Sequence, residues 1–132
     1  MKLISKLLFV LILGSIATAP ALARKPSPQP VVIVPGIYER FMVGKGSGDL
    51  EGMRVVIVSA GGGYHAIVQI AQGGAEDPKP EFVPVEVTRR SVSFSVGDEK
   101  FTGTVSATGL TLKSTAGGTQ VLKRVSCSNY FK

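Results

Sequence analysis

The chain has 132 residues with 15 Lys and Arg, 9 Asp and Glu, one His, one Cys and no Trp, for a formal charge of +6. A lone cysteine cannot form a disulfide within the chain, and a lone histidine excludes the His-His and Cys-His spacings of zinc sites. A mild basic excess, without a dense basic face interleaved with aromatics, argues against nucleic-acid binding.

Residues 1–23 read as a secretory signal peptide. Lys2 and Lys6 supply the positive start, Leu7 to Ile16 is an apolar run broken only by Gly14 and Ser15, and Ala21-Leu22-Ala23 gives a small-x-small cleavage pattern. Cleavage is expected between Ala23 and Arg24. The apolar run falls short of the roughly 20 residues that a bilayer-spanning helix needs. No cysteine follows the cleavage point, so no lipid anchor is expected there. The implied address is periplasmic or secreted. Losing Lys2 and Lys6 leaves 13 basic and 9 acidic residues, a net +4, on 109 residues. That length suits one domain with a modest core.

Arg24 to Pro30 is a proline-rich stretch that should be extended. It forms part of a flexible leader over 24–35, a spacer or a segment read by a polyproline-binding partner. From Val31 onward the chain is rich in Val, Ile, Thr and Ser with recurrent glycine turns, and no stretch keeps apolar residues at helical spacing. Eight strands are expected: Gly36–Val43, Met53–Ser59, Tyr64–Ala71, Phe82–Val87, Ser91–Val96, Phe101–Ser106, Leu110–Lys113 and Gln120–Val125. Residues 126–132 then form a tail, and Cys127 within it reads as an unpaired thiol.

Short links favour antiparallel neighbours, so the fold class is all-β, an antiparallel up-and-down barrel or closed meander. Alternation sets the faces. Val92, Phe94 and Val96 oppose Ser91, Ser93 and Ser95; Phe101, Gly103 and Val105 oppose Thr102, Thr104 and Ser106. A turn centred on Asp98-Glu99 would set Val96 opposite Phe101, and one on Arg89-Arg90 aligns Val83, Val85 and Val87 with the Val92 row. A turn between Gly61 and Gly62 sets Met53, Val55 and Ile57 beside Tyr64, Ala66, Val68 and Ile70. A one-residue slip would break each match. The last hairpin conflicts with this order. Pairing across Gly117-Gly118 turns Lys123 inward, unless a bulge in the glycine-rich turn brings Leu122 inward or Lys123 sits at the mouth.

Gly36-Ile37-Tyr38, Phe101-Thr102-Gly103-Thr104-Val105 and Gly109-Leu110-Thr111-Leu112 resemble the small lipocalin-like and avidin-like secreted barrels. The resemblance spans residues 36–125 and implies a barrel that is filled by side chains or holds one small ligand. The chain departs from avidins in lacking the tryptophans of their pocket, and from lipocalins in lacking a disulfide.

Catalytic machinery is sparse. His65 falls on the polar face with Arg54 and Gln69, and no nucleophile-elbow motif accompanies it. Gly44-Lys45-Gly46-Ser47-Gly48-Asp49 lacks Walker spacing and a following helix, so it reads as a turn. The long loops are more informative. One barrel end would gather Asp49, Glu51, Glu76, Asp77, Glu81, Asp98 and Glu99 against Lys45, Lys79 and Lys100, seven against three, or about −4. Arg89, Arg90, Arg24, Lys25, Arg124 and Lys132 would gather at the other end. The acids read as solvated turns or as a recognition rim.

These readings converge on a monomeric, exported, non-catalytic binding protein of the bacterial envelope, without a cofactor. It would hold a small ligand in the barrel mouth or an envelope protein on its acidic rim. The competing reading is a small enzyme or enzyme inhibitor using the same rim. A membrane-integral barrel is disfavoured, because most of the expected strands are shorter than the 9–11 residues such barrels use and the Ser and Thr rows would face outward.

Overall fold

A computed structural model describes residues 31–74 and 78–126 of the chain. The signal peptide, its cleavage site at Ala23 and Arg24, most of the leader, Glu76, Asp77 and Cys127 lie outside the described residues. Eight strands form one closed barrel in which each strand neighbours the next and the last pairs with the first. They are β1 (Gly36–Val43), β2 (Leu50–Ala60), β3 (Gly63–Gln72), β4 (Glu81–Thr88), β5 (Ser91–Val96), β6 (Glu99–Val105), β7 (Gly109–Ser114) and β8 (Thr119–Val125). Every pairing is antiparallel. No helix among the described residues is long and apolar enough to cross a membrane.

The alternating rows point as the sequence pattern requires. Met53, Val55, Ile57, Ala66, Val68, Val83, Val85, Val92, Phe94, Phe101 and Val105 are buried in one core cluster. Tyr38, Leu110, Leu112 and Leu122 are buried in the same cluster, so side chains fill the interior. Two hairpins adopt the expected register: Val55 faces Val68 across the 61–62 turn, and Val87 faces Val92 across 89–90.

The β5–β6 hairpin corrects the expected turn centre. The two-residue turn is Gly97-Asp98, so Val96 faces Glu99, Phe94 faces Phe101 and Val92 faces Gly103. Gly97 takes a φ of 56° at the first turn position. A turn on Asp98-Glu99 would ask that conformation of an aspartate, at higher steric cost. The shift moves partners by two residues and leaves every side chain on its expected face. It also stacks the Phe94 and Phe101 rings, with centroids 5.4 Å apart.

The conflict at the last hairpin resolves in the turn. Residues 115–118 make a four-residue connection, Leu110 pairs with Leu122, and Leu122 is buried while Lys123 is exposed. Glycine is indispensable where neighbouring backbones approach most closely. A Cβ on Gly103 would sit 2.2 Å from the Thr111 carbonyl oxygen, and one on Gly52, where φ is +120°, would sit 1.8 Å from that of Arg40.

Candidate functional site at the open end of the barrel

The antiparallel ladders are not equally long. β1 pairs with β8 only at Ile37, Tyr38 and Glu39, opposite Val125, Arg124 and Lys123. β4 pairs with β5 only at Glu86, Val87 and Thr88, opposite Ser93, Val92 and Ser91. Both short ladders lie toward the end that holds the chain entry, the 61–62, 89–90 and 106–108 turns, and the exit of β8. This is the closed end. Toward the opposite, open end the barrel parts along two seams into a β1–β4 half and a β5–β8 half.

Proline explains one seam. Thr88 and Ser91 close a two-residue turn, so Thr88 and Glu86 direct their backbone groups at β5, and so does residue 84. Pro84 has no N–H to offer the next rung, and proline inside a sheet is tolerated only where that side is left open. A furrow of about 290 Å³ follows this seam, edged by Pro84, Glu86, Ser93, Phe94, Ser95 and Lys100.

The four loops of the open end close up in two pairs. In the first pair, loop 44–49 is tied internally by Gly44 N–H to the Asp49 carbonyl, 2.8 Å. It is tied to the β3–β4 connection by Leu50 N–H to the Gly74 carbonyl, 3.0 Å, and Gly73 N–H to the Leu50 carbonyl, 3.1 Å. In the second pair, Lys100 N–H donates to Thr115 Oγ1 at 3.0 Å and Thr115 N–H donates to the Lys100 carbonyl at 2.9 Å. The Ser114 hydroxyl donates to Glu99 Oε1. Each loop pair caps one half of the barrel, and a mouth lies between them.

That mouth is a recess of about 170 Å³. Met53, Ile70 and Phe101 give it apolar surface, and Gln72, Glu99 and Gln120 give it polar groups. Its volume is close to the roughly 150 Å³ engineered cavity that admits benzene. Glu99 is half-buried and held by Ser114, so its carboxylate is positioned at the wall. The arrangement can receive an apolar body and neutralise a cationic or hydrogen-bond-donating head.

Of the five singled-out acids among the described residues, only Glu99 lines this recess. Asp49 lies in loop 44–49 close to Gly73. Glu51 and Glu81 are exposed near the starts of β2 and β4, and Asp98 is exposed in its turn. No group of three or more His, Cys, Asp or Glu among the described residues is arranged to hold a metal. Gln72, Ser114 and Gln120 were not singled out; their inward or mouth position follows from where the β3, β7 and β8 strands end. A larger concavity, about 570 Å³, is a furrow on the outer face, where small hydroxyl side chains of β5 and β6 lie between Glu86 and Lys113.

The closed end is fastened by a cluster that alternation alone does not reveal. Tyr38 is buried and its hydroxyl donates to the Val34 carbonyl, 2.5 Å. The Arg124 guanidinium lies over the Tyr38 ring, 4.8 Å from its centroid, and donates to the Tyr38 oxygen at 2.6 Å. It also donates to the carbonyls of Pro35, at 3.1 Å, and Ile33. Burial raises the Tyr38 pKa, with the Arg124 charge and hydrogen bond opposing that rise. His65 lies on the outer face with Arg54 and Gln69, as expected, and stacks on Phe82 at 5.0 Å. Arg54 donates to Glu39 at 2.9 Å and to Gln69 at 3.1 Å.

The sequence matches no protein-family model and no curated protein, and the fold matches no solved structure. The functional reading therefore rests on the barrel's own geometry.

Proposed function

We propose that the chain is an exported, non-catalytic binding protein of the bacterial envelope that holds a small ligand in the mouth of its barrel. The observation that carries this reading is the recess between the two loop pairs, with apolar surface from Met53, Ile70 and Phe101 and the anchored Glu99 carboxylate on its wall. Ligand sites combine apolar surface with a few positioned polar groups, and this recess sets Met53, Ile70 and Phe101 beside Gln72, Glu99 and Gln120. The ligand class is a small molecule with an apolar body and a cationic or donor-rich head. The signal-like residues 1–23 support the exported location.

Binding can be tested with benzylamine as the probe, followed by amide and methyl chemical shifts. The expected shifts gather on Met53, Ile70, Phe101 and Gln120, and Glu99→Gln weakens them. Benzyl alcohol should bind less tightly than benzylamine. Shifts scattered over the outer face, or equal binding by Glu99→Gln, would overturn the assignment. Native mass spectrometry of protein from its own envelope fraction should show a retained small molecule.

A further inference from the structure

The closed end carries a surface that the mouth does not explain. The lead-in to β1 lies across this end of the barrel. Val34 belongs to the core cluster and Val32 packs against it. The Tyr38 hydroxyl holds the Val34 carbonyl, and the Arg124 guanidinium holds those of Ile33 and Pro35. Burial alternates along residues 31–34, as in an extended chain whose successive side chains point to opposite sides. Val32 and Val34 face into the barrel, so Val31 and Ile33 face away from it, out of the closed end. Val31 is 91% exposed and Ile33 66%. The bonds to the carbonyls beneath them fix this aliphatic pair in place.

The turns of the same end are small or cationic. The β2–β3 turn is Gly61-Gly62 and the β6–β7 connection is Ser106-Ala107-Thr108, so no long side chain there would hold a flat surface away. The β4–β5 turn is Arg89-Arg90, and both residues are exposed. Arg89 takes a φ of 57°, the only positive φ outside glycine among the described residues. Glycine adopts that conformation at lower cost, and the β2–β3 turn uses it at both positions. The β4–β5 tip therefore carries charge at a conformational cost. No Asp or Glu occurs among residues 31–36, 60–63, 88–91, 105–109 and 124–126 of this end. Asp49, Glu51, Glu81, Asp98 and Glu99 all lie toward the open end.

We propose that the closed end docks on a lipid surface bearing anionic headgroups, with Val31 and Ile33 in the interface and Arg89 and Arg90 on headgroup phosphates. Peripheral proteins are held to such membranes by apolar burial and by cations near the surface, and this end supplies both with no carboxylate among them. Two aliphatic side chains and two arginines give weak, reversible binding, so the barrel rests on the surface and spans nothing. Arg24 and Lys25, which precede this segment in the sequence, have the same charge. A protein partner would need about 800 Å² of complementary surface a side. This end offers instead an aliphatic pair amid turns with little side-chain relief. The separation of charge along the barrel turns the acidic open end away from the membrane. Docking is independent of what the mouth holds and leaves it facing solvent.

The test uses the mature chain, from Arg24 onward, and vesicles of equal parts phosphatidylglycerol and phosphatidylcholine, read by co-sedimentation. Binding should be at least about tenfold tighter than to pure phosphatidylcholine and should fall steeply toward about 1 M salt. Arg89→Asn with Arg90→Gln should weaken it by about tenfold or more, and asparagine tolerates the positive φ, so the turn is kept. Val31→Ser with Ile33→Ser should also weaken it about tenfold. Both side chains are exposed, so the melting temperature should stay within a few degrees of wild type. In bicelles of the same lipids, a nitroxide-labelled lipid should broaden the amide signals of Val31, Ile33, Arg89 and Arg90 and leave that of Asp98 sharp. Equal binding to neutral vesicles, or unchanged binding by either double variant, would overturn the proposal. Broadening led by the open end or by Phe82 would overturn it too. Release from the vesicles by polyglutamate at matched charge would point to an acidic protein and overturn the lipid assignment. Self-association without lipid, abolished by Val31→Ser with Ile33→Ser, would make this end an interface between copies and overturn it as well.

Discussion

At the closed end, all eight strands are laced together and Arg124 ties the lead-in at Ile33 and Pro35 to the buried Tyr38. At the open end, the same strands part along two seams, and capping is left to two separate loop pairs with a recess between them. The contrast assigns different duties to the two ends. Fastening one end lets the other stay open without costing the barrel its closure, because the ladders that define closure lie beside the Arg124 cluster. Substitutions at the two ends should therefore differ in cost even when the chemistry removed is alike.

The sharpest version compares two truncations of buried aliphatic side chains. Leu122 is fully buried and paired opposite Leu110 in the core, so Leu122→Ala should cost about 3–4 kcal/mol of unfolding free energy. Met53 is also buried but borders the recess, where water or loop movement can fill the vacancy, so Met53→Ala should cost about 1–2 kcal/mol. Urea unfolding of the two variants measures both values. Equal costs would remove the distinction between the ends.

A smaller effect separates the polar clusters. Arg124→Ala removes the donors to Ile33, Pro35 and Tyr38 and exposes the start of β1, and should cost about 2–3 kcal/mol. Glu99→Gln keeps a group that can accept from Ser114 and should change stability by less than about 0.5 kcal/mol. A loss at Glu99 as large as that at Arg124 would mean that the mouth carboxylate is structural. The measurement is again the shift in urea midpoint at constant slope.

Much of this barrel is legible in the residues, and the exceptions are instructive. Alternation in Ser91–Val96 and in Val83, Val85 and Val87 settles which side chains point inward, because a one-residue slip would expose them. It cannot detect a slide of two residues, which keeps every face. What separates the two registers is Gly97, which takes the positive φ of the first turn position and opens a Gly-Asp pair that two-residue hairpins favour. Likewise, Leu122 and Lys123 exchange faces with a single residue of turn length, and Gly117-Gly118 fits either choice. The candidate site was less legible because it depends on where ladders stop. Pro84 is a sequence signal for one such stop, whereas β1 and β8 carry none. The Tyr38–Arg124 pair joins residues 86 positions apart, and only barrel closure brings them together.

Tyr38 gives the most delicate test of the closed end. Its phenol is buried against Val34, and burial raises its pKa above the ordinary 10.0 although Arg124 pulls the other way. A group whose folded pKa exceeds its unfolded value contributes stability that is fully present below the unfolded pKa. That contribution is lost as pH rises through the folded pKa. The contribution from Tyr38 should therefore be constant through neutral pH and decline above about pH 10. Other groups titrate in the same range, so the informative quantity is the difference between wild type and Tyr38→Phe. Phe keeps the ring under Arg124 but loses the hydroxyl's bonds to Val34 and Arg124, so a constant offset is expected at neutral pH. That offset should shrink as pH rises beyond 10, and the tyrosine absorbance of the wild type should show one phenol titrating later than the rest. A flat offset to pH 11 would mean that the buried phenol ionises as easily as an exposed one, and the closed end would then be wetter than its packing indicates.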